Sequence, residues 1–199
     1  MENQDFEIKI VLVGDSGVGK TTLINVFSTG RFEGDSHSTI GSSFTKGSIE
    51  TETGKRIDFT IWDTAGQEKF NSLIPLYLRK ASAIILVFDA TSNNPISSIE
   101  KFYSLVHEQC EDINILFLCG NKVDLIVDEK KQEEVYAWAQ THSHQVFLTS
   151  AKSGLNVNEL FSTVAEFCYN RLSQRPSENR LVLDEIVGQK EQQSVKKCC

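Results

Sequence analysis

Three short polar motifs each follow a strand-like apolar run. The first, Gly14-Asp15-Ser16-Gly17-Val18-Gly19-Lys20-Thr21, has the GxxxxGK[ST] pattern between a predicted strand and a predicted helix. Glycines in such a loop let successive backbone N–H groups converge on phosphate oxygens at the positive end of the helix. The motif therefore predicts a bound phosphate ester, with Lys20 neutralising the outer phosphates and Thr21 offering an oxygen to Mg²⁺.

The second motif, Trp62-Asp63-Thr64-Ala65-Gly66-Gln67-Glu68, predicts a hydrolytic centre. A carboxylate at the strand end, Asp63, is suited to hold the Mg²⁺ shell across from the phosphate loop. Gly66 permits close backbone approach to a terminal phosphate. The side chain of Gln67 has both a donor and an acceptor, so it is suited to orient a water molecule for in-line attack. The alternative interpretation is an N-cap aspartate followed by a turn.

The third motif, Asn121-Lys122-Val123-Asp124, predicts the choice of base. The Asp124 carboxylate is able to accept hydrogen bonds from the ring N–H and the exocyclic amine of guanine, each worth about 1.5–3 kcal/mol because the acceptor is charged. Adenine lacks this donor pair. The segment Ser150-Ala151-Lys152, after the next predicted strand, supplies a backbone N–H for the guanine carbonyl.

The elements that must position these motifs alternate between strand-like and helical patterns. Strands are predicted over Ile8–Val13, Arg56–Asp63, Ala83–Asp89, Ile113–Gly120 and Gln145–Thr149. Helices are predicted over Gly19–Ser28, Glu68–Lys80, Ile96–Cys110, Asp128–Thr141 and Leu155–Leu172. Ser43–Glu50 and Lys55–Asp63 predict a hairpin that adds one antiparallel strand. The pattern is typical of an α/β fold with a largely parallel sheet.

Composition sets limits on the class of protein. The 199 residues suit one domain, predicted over residues 1–173, followed by a polar tail over residues 174–199. The net charge of -7 argues against a general nucleic-acid backbone binder. The acidic N-terminus lacks the pattern of a secretory signal, and the longest apolar run, Ala83–Phe88, is too short to span a bilayer.

Cysteine and histidine do not predict a metal centre. The five cysteines have no CxxC spacing, which favours a reducing, cytosolic compartment and a buried core position for Cys119. The four histidines show no ligand spacing with cysteines or carboxylates, so surface or capping roles are predicted for His37, His107, His142 and His144. The adjacent Cys198 and Cys199 cannot close a loop by a disulfide.

Together, GDSGVGKT, WDTAGQE, NKVD and SAK resemble the motifs of the Ras superfamily, and within it the chain resembles a Rab over about Ile8 to Leu172. The resemblance implies a P-loop NTPase small G domain with a six-stranded, mostly parallel sheet, one antiparallel edge strand and helices on both faces. It implies a molecular switch that hydrolyses GTP to GDP and phosphate and recruits effectors in vesicle trafficking. The segment Ile40-Gly41-Ser42-Ser43-Phe44 is similar to that of early-endosomal Rabs, and Tyr77-Leu78-Arg79-Lys80 departs from the common Tyr-Tyr-Arg-Gly.

The resemblance also assigns residues. It implies that Thr39 joins Mg²⁺ only in the GTP state, within switch loops over about Arg31–Phe44 and Gly66–Arg79, and that Phe32 lies beside the base. The expected nucleotide-binding residues are Gly14, Ser16, Gly17, Val18, Gly19, Lys20, Thr21, Thr22, Phe32, Thr39, Gly66, Asn121, Lys122, Asp124, Ser150, Ala151 and Lys152. The expected metal ligands are Thr21, Thr39 and Asp63, with Gln67 catalytic, and the expected effector-binding residues are Ile40, Gly41, Phe44, Trp62 and Tyr77.

The terminal Cys198-Cys199 is a Rab-type ending, which by resemblance carries two geranylgeranyl groups. Two chains meet the condition for stable membrane anchoring, whereas one is marginal. The implied partners are an exchange factor, a GTPase-activating protein, a Rab escort protein or GDP-dissociation inhibitor, and effectors. The implied location is the cytosolic face of intracellular, endosomal membranes, in exchange with the cytosol.

Two other functions share part of this pattern. An ATP-using phosphate-loop kinase would share the loop, but it would need an acceptor-substrate lid and no Asn-Lys-x-Asp motif. A binding module without turnover would keep the nucleotide as a structural ligand, and Gln67 counts against it.

Overall fold

A single mixed sheet organises the protein. The computed structural model describes residues 7–33, 42–64, 73–110, 115–126 and 130–174. The sheet has six strands in the order β2-β3-β1-β4-β5-β6. The strands are β1 (Ile8–Val13), β2 (Ser42–Glu50), β3 (Arg56–Thr64), β4 (Ala83–Asp89), β5 (Leu116–Asn121) and β6 (Gln145–Leu148).

The antiparallel strand lies at one edge. β2 pairs antiparallel with β3, whereas β1 pairs parallel with both β3 and β4, and the β4–β5 and β5–β6 pairs are parallel as well. The predicted α/β class, with one antiparallel edge strand in a mostly parallel sheet, is confirmed. Because β1 and β3 to β6 run the same way, their carboxyl ends meet at one edge of the sheet.

Helices connect the strands and pack against the sheet. They are α1 (Lys20–Thr29), α2 (Ile74–Leu78), α3 (Pro95–Gln109), α4 (Lys130–Thr141) and α5 (Val157–Ser173). The chain divides into two units, Met1–Tyr169 and Asn170–Cys199. The described residues of the second unit, Asn170–Gln174, are helical through Ser173.

Apolar side chains fill both faces of the sheet. On one face, Ile84, Leu86 and Phe88 of β4 belong to a buried cluster that includes Ile99 and Phe102 of α3. On the other face, the ring of Phe27 lies 5.9 Å from Phe59 of β3 and 4.6 Å from Phe161 of α5. Strand β4 is buried from Ala83 to Phe88, which explains its unbroken apolar sequence.

Two helix ends differ from the sequence-based expectation for a conformational reason. The second predicted helix extends to Lys80, but α2 ends at Leu78 because Arg79 has φ -58 and ψ 126 and Lys80 has φ 59. The fifth predicted helix begins at Leu155, but α5 begins at Val157 because Asn156 has φ 55. Left-handed residues cannot continue a right-handed helix.

Two histidines, His142 and His144, are half-buried against aromatic rings, and His107 lies exposed beside the same cluster. His142 stacks on Trp138, with ring centroids 3.9 Å apart, and Tyr103 contacts His107, His142 and His144. Burial lowers the pKa of His144 below its ordinary value, and the hydrogen bond with the Leu116 backbone opposes this shift only in part. The expectation of surface or capping roles is therefore wrong for His144, which packs against Tyr103. His37 lies outside the described residues.

Candidate functional site

The loop between β1 and α1 is shaped by glycine. Gly14 has φ +145, and a Cβ there would lie 2.0 Å from the Val87 carbonyl oxygen; Gly19 has φ +99, and a Cβ there would lie 2.3 Å from Nδ2 of Asn121. Each site therefore excludes a side chain both by conformation and by space. The segment between them contains Ser16 and Gly17, which are exposed, and Val18, which is buried.

Lys20 lies beneath this loop at the start of α1. Its side chain is 5% exposed, and Nζ donates hydrogen bonds to the carbonyl oxygens of Gly14 and Asp15, both at 2.8 Å. Burial lowers its pKa to about 8, although the charges of Asp63 and Asp15 favour the protonated form. An ammonium group with this little solvation gains strongly from a nearby phosphate.

Two oxygen donors meet beside Lys20. The hydroxyl of Thr21 donates a hydrogen bond of 2.6 Å to Oδ2 of Asp63, which is buried at the end of β3. A carboxylate and a hydroxyl are hard oxygen ligands, which suit Mg²⁺, and Mg²⁺ commonly takes only one or two protein ligands. Within the described ranges, no group of three or more histidine, cysteine or acidic side chains is arranged to hold a metal. The residues present fit Mg²⁺.

Asn121 joins the two ends of the site. Its side chain lies buried at the end of β5, with Nδ2 donating to the Val18 carbonyl at 2.9 Å. Its Oδ1 accepts from the backbone N–H of Ala151 at 3.1 Å. Asn121 therefore connects the phosphate loop to the segment after β6 that is predicted to contact the base.

The remaining motif residues surround the part of the site that is predicted to contact the base. The hydroxyl of Ser150 donates a hydrogen bond of 2.6 Å to Oδ1 of Asp124, which orients an exposed carboxylate. Lys122 has φ 70, and its Nζ lies 2.7 Å from Oδ2 of Asp89. Ala151 is buried beside them, and Lys152 is exposed.

Asp89 and the side chain of Asp15 also belong to the site, although no functional role is predicted for them from the sequence. Partial burial disfavours the charged form of Asp89, but hydrogen bonds from Lys122 and Thr91 outweigh it and keep the pKa below the ordinary value. Asp89 ends a buried strand at the same sheet edge as Asp63. Its position after an apolar run could therefore have indicated a site residue from the sequence. The contacts of Asp15 are long-range and give no such signal.

Those contacts attach the phosphate loop to α3. Asp15 accepts from the hydroxyl of Ser98 at 2.5 Å and forms an ion pair of 2.6 Å with Lys101. Burial opposes ionisation of Asp15, but the hydrogen bonds from Lys101 and Ser98 lower its pKa overall. The side chains of this ion pair are partly exposed, so its effect is mainly to restrain the loop.

Three aromatic rings form a separate surface. The ring centroids of Phe44 and Trp62 are 5.8 Å apart, and those of Trp62 and Tyr77 are 6.4 Å apart. Phe44 is 62% exposed. The structure thus brings together the described members of the predicted effector surface, on β2, β3 and α2.

The predicted nucleotide-binding and metal-binding residues that the structure describes lie at the carboxyl edge of the sheet. Thr22 lies on α1 next to Thr21. Phe32 is 46% exposed, three residues after the end of α1. The other predicted site residues lie outside the described part of the chain: Thr39, Ile40, Gly41, Gly66, Gln67, Cys198 and Cys199.

Comparison with known proteins identifies the family. The model of the Ras family matches residues 9–170. The chain belongs to the Ras family. It is 37% identical to the Ras-related protein Rab-26 of Bos taurus over 185 residues, covering 92% of this chain and 72% of that protein. It is 41% identical to Rab-13 of Rattus norvegicus over 162 residues, with 81% and 79% covered.

A plant relative agrees with these two. The Ras-related protein RAB1BV of Beta vulgaris is 39% identical over 173 residues, covering 85% of this chain and 79% of that protein. The chain is therefore a Rab-type small GTPase of the Ras family. It binds GTP and GDP, hydrolyses GTP, and acts as a switch in membrane trafficking. Family membership rules out both the ATP-using kinase and the binding module without turnover.

Rab-family membership also implies regulators, effectors and membrane association in general. No helix in the described ranges has the length and apolar character that a membrane span needs.

The buried Lys20 makes a prediction about pH. With a pKa of about 8, Lys20 of the nucleotide-free GTPase loses its proton as the pH rises through 8, whereas phosphates favour the charged form. GDP binding should therefore take up a proton above pH 8, and affinity should fall by up to about tenfold per pH unit there. Calorimetry at pH 7 and 8.5, in buffers with different ionisation enthalpies, measures this uptake.

Lys55→Gln is the control, because it removes an exposed lysine from the β2–β3 turn and should leave the uptake unchanged. Heats of binding that do not depend on the buffer at pH 8.5 would contradict the prediction.

Proposed function

We propose that the nucleotide lies along the carboxyl edge of the sheet, with its phosphates in the Gly14–Lys20 loop and its guanine between Asp124 and Ala151. The observation behind this proposal is the buried Asn121 side chain, which bonds Val18 in one loop at 2.9 Å and Ala151 in the other at 3.1 Å. Since both loops are held by one rigid amide, the phosphate and base subsites keep a constant separation.

Guanine selection rests on Asp124. Its carboxylate, oriented by Ser150, accepts from the ring N–H and the exocyclic amine. The Ala151 N–H, which bonds Oδ1 of Asn121, is shared with the base carbonyl in a three-centre hydrogen bond. Lys122 and Phe32 flank the base, and Lys152 lies at its outer rim. Ser16, Gly17, Val18, Gly19, Thr21 and Thr22 complete the phosphate subsite through the loop and the first turn of α1.

Mg²⁺ is proposed to bind at Thr21 and Asp63, whose oxygens lie 2.6 Å apart. When held by these two residues, Mg²⁺ would neutralise charge on the outer phosphates. By family resemblance, Thr39 joins this site in the GTP state. Lys20 places a second positive charge at the outer phosphates, where negative charge builds up as the terminal bond breaks.

Gln67 is proposed to orient the attacking water, while the N–H of Gly66 approaches the terminal phosphate. Loss of that phosphate releases Thr39 and Gly66, and with them the switch loops and the bound effector. The motifs that form the site contain no arginine. Because an arginine finger contributes on the order of 10³–10⁵-fold, we expect slow intrinsic hydrolysis and a GTPase-activating protein that accelerates it.

The remaining assignments concern the cycle between membrane and cytosol. We propose a GTPase domain over residues 1–173 and a tail over residues 174–199 that is prenylated at Cys198 and Cys199. An exchange factor opens the buried nucleotide contacts, and an escort protein or GDP-dissociation inhibitor covers the prenyl groups in the cytosol. The proposed effector surface consists of Ile40, Gly41, Phe44, Trp62 and Tyr77, and the proposed membrane is endosomal.

Asp124→Asn tests the base subsite. Asparagine presents one carbonyl oxygen and one amino group, so it matches the ring N–H and 2-carbonyl of xanthine and mismatches the 2-amine of guanine. GTP affinity should fall by about 10²-fold or more, corresponding to the loss of charge-assisted bonds of about 1.5–3 kcal/mol each. Competition between GTP and XTP measures the change in preference.

Glu133→Gln, an equivalent neutralisation on the exposed part of α4, is the matched control and should keep the preference for GTP. An Asp124→Asn protein that still prefers GTP to XTP would place the base elsewhere.

Gln67→Leu tests catalysis apart from binding. Leucine cannot hold the water, so single-turnover GTP hydrolysis should slow by roughly tenfold or more while GTP affinity stays within about twofold. Phosphate release from preloaded protein gives the rate. Gln140→Leu, the same change on an exposed turn of α4, should hydrolyse at the parent rate. Equal rates for Gln67→Leu and the parent protein would remove Gln67 from the mechanism.

Replacing Cys198 and Cys199 with serine tests the membrane anchor. Each buried CH₂ of a prenyl chain contributes roughly 0.8 kcal/mol, so the double variant should move from the membrane to the soluble fraction of cells. Cys110→Ser controls for the loss of a thiol elsewhere. Persistent membrane association of the double variant would instead point to Leu181–Val187.

A further inference from the structure

The outer face of the β2–β3 edge has an ordered arrangement of side chains. On β3, Ile57, Phe59 and Ile61 point into the core, so Thr60 and Trp62 occupy the opposite face. The strand register places Phe44 opposite Trp62 and Lys46 opposite Thr60 on β2. Aromatic and cationic side chains therefore occupy successive rows across the strands.

The cationic row continues onto β1. Lys9 pairs with Thr60 in the parallel register, so Thr60 lies between Lys46 on one side and Lys9 on the other. With strands about 4.8 Å apart, the Cα atoms of the two lysines are separated by roughly 10 Å. Nζ of Lys9 lies 4.4 Å from the centroid of the Trp62 ring, so this charge directly adjoins the aromatic row.

The segment after α2, which contains Arg79 and Lys80, lies beside Lys9. Nζ of Lys9 donates a hydrogen bond of 3.1 Å to the carbonyl oxygen of Arg79, which places that segment beside Lys9. The next residue, Lys80, is exposed and has φ 59. Glycine adopts this conformation without strain, and lysine does not. The chain thus has an additional positive charge at a position where the backbone favours glycine.

The acidic side chains that the structure describes on these strands do not cancel this charge. Asp58, in the following row, forms an exposed ion pair of 2.9 Å with Arg56. Glu7 acts on Lys9 and favours its charged form, but burial dominates and lowers the pKa of Lys9 below its ordinary value. Glu50 lies at the far end of β2, opposite Arg56. In a chain with a net charge of -7, Lys9 and Lys46 give this part of the sheet a positive charge, and the adjoining segment contains Arg79 and Lys80.

We propose that the effector bound at Phe44, Trp62 and Tyr77 is an acidic amphipathic helix that lies across the strands and pairs its carboxylates with Lys9 and Lys46. This inference rests on the proposed effector surface and specifies the chemistry of its partner. Helical residues i and i+7 are about 10.5 Å apart along the axis, which matches the separation of the two lysines. Apolar residues at i+4 and i+8, which project to one side of the line from i to i+7, then face the aromatic row two residues along the strands. The helix-in-groove mode of recognition uses apolar anchors of this kind.

A defined peptide library tests the inference. Displayed 20-residue helical peptides have a fixed apolar stripe, and the flanking positions are varied among Asp, Asn and Lys. They are selected on the full chain loaded with a non-hydrolysable GTP analogue, with counter-selection on the GDP form. We expect the selected peptides to depend on Trp62 and to favour Asp over Asn by at least about fivefold at positions seven residues apart.

Charge reversal provides the sharper measurement. Lys46→Glu should weaken the selected Asp peptide by about tenfold or more, and exchanging the Asp residues of the peptide for Lys should restore binding to that variant. Lys9→Gln, which removes the charge without reversing it, should weaken the same peptide by a smaller factor. Lys55→Glu reverses a lysine at the β2–β3 turn, away from the aromatic row, and should leave binding within about twofold.

The outcomes separate the two proposals. Peptides that need Trp62 and the GTP form but show no preference for Asp, or no response to Lys46→Glu, would overturn the acidic-helix inference and leave the effector surface intact. Peptides that bind equally after Trp62→Ala would overturn the effector surface itself. A library that yields no Trp62-dependent binder counts against both.

Discussion

The buried amide of Asn121 is the interaction on which the site depends. It donates to the Val18 carbonyl and accepts from the Ala151 N–H, so a single side chain holds two loops that come from distant parts of the sequence. Gly19 makes this possible, because a Cβ there would lie 2.3 Å from the amide nitrogen. A buried amide that loses its partners costs about 1–3 kcal/mol for each unsatisfied group, so the arrangement is held firmly.

Close packing also determines how the charged group at the phosphate end is solvated. Lys20 is almost fully buried and bonds to the carbonyl oxygens of Gly14 and Asp15. These carbonyls solvate the ammonium group less well than water does, which is why its pKa falls to about 8. A phosphate oxygen is a stronger acceptor, so binding relieves an electrostatic cost that the fold already bears. Local geometry thus binds an anion although the chain as a whole is acidic.

Nucleotide chemistry and partner recognition meet on β3. Near the end of this strand, Asp63 bonds Thr21 at the phosphate end, and the preceding Trp62 belongs to the aromatic surface. Because successive residues of a strand face opposite sides, one strand end serves the buried site and the outer surface at once. The two functions lie on adjacent residues, so a shift of this strand end would affect both.

The sequence by itself determined the class of fold, the positions of most strands along the chain and the identity of the base. These features are local, because a loop of glycines before a helix or an aspartate after a buried strand acts through its immediate neighbours. Strands β1 and β4 are found within the predicted bounds for the same reason, since their apolar runs are continuous. The left-handed conformations of Lys80 and Asn156, which limit two helices, cannot be predicted from the residue types.

Only the tertiary structure decided which side chains meet. The ion pair of Asp15 with Lys101, the contact of Lys122 with Asp89 and the row formed by Lys46, Thr60 and Lys9 join residues far apart in the chain. Such contacts depend on strand order and register, and a shift of one residue in register would move every side chain of a strand to the other face. Local sequence patterns do not contain that information, because register is set by packing of the whole sheet.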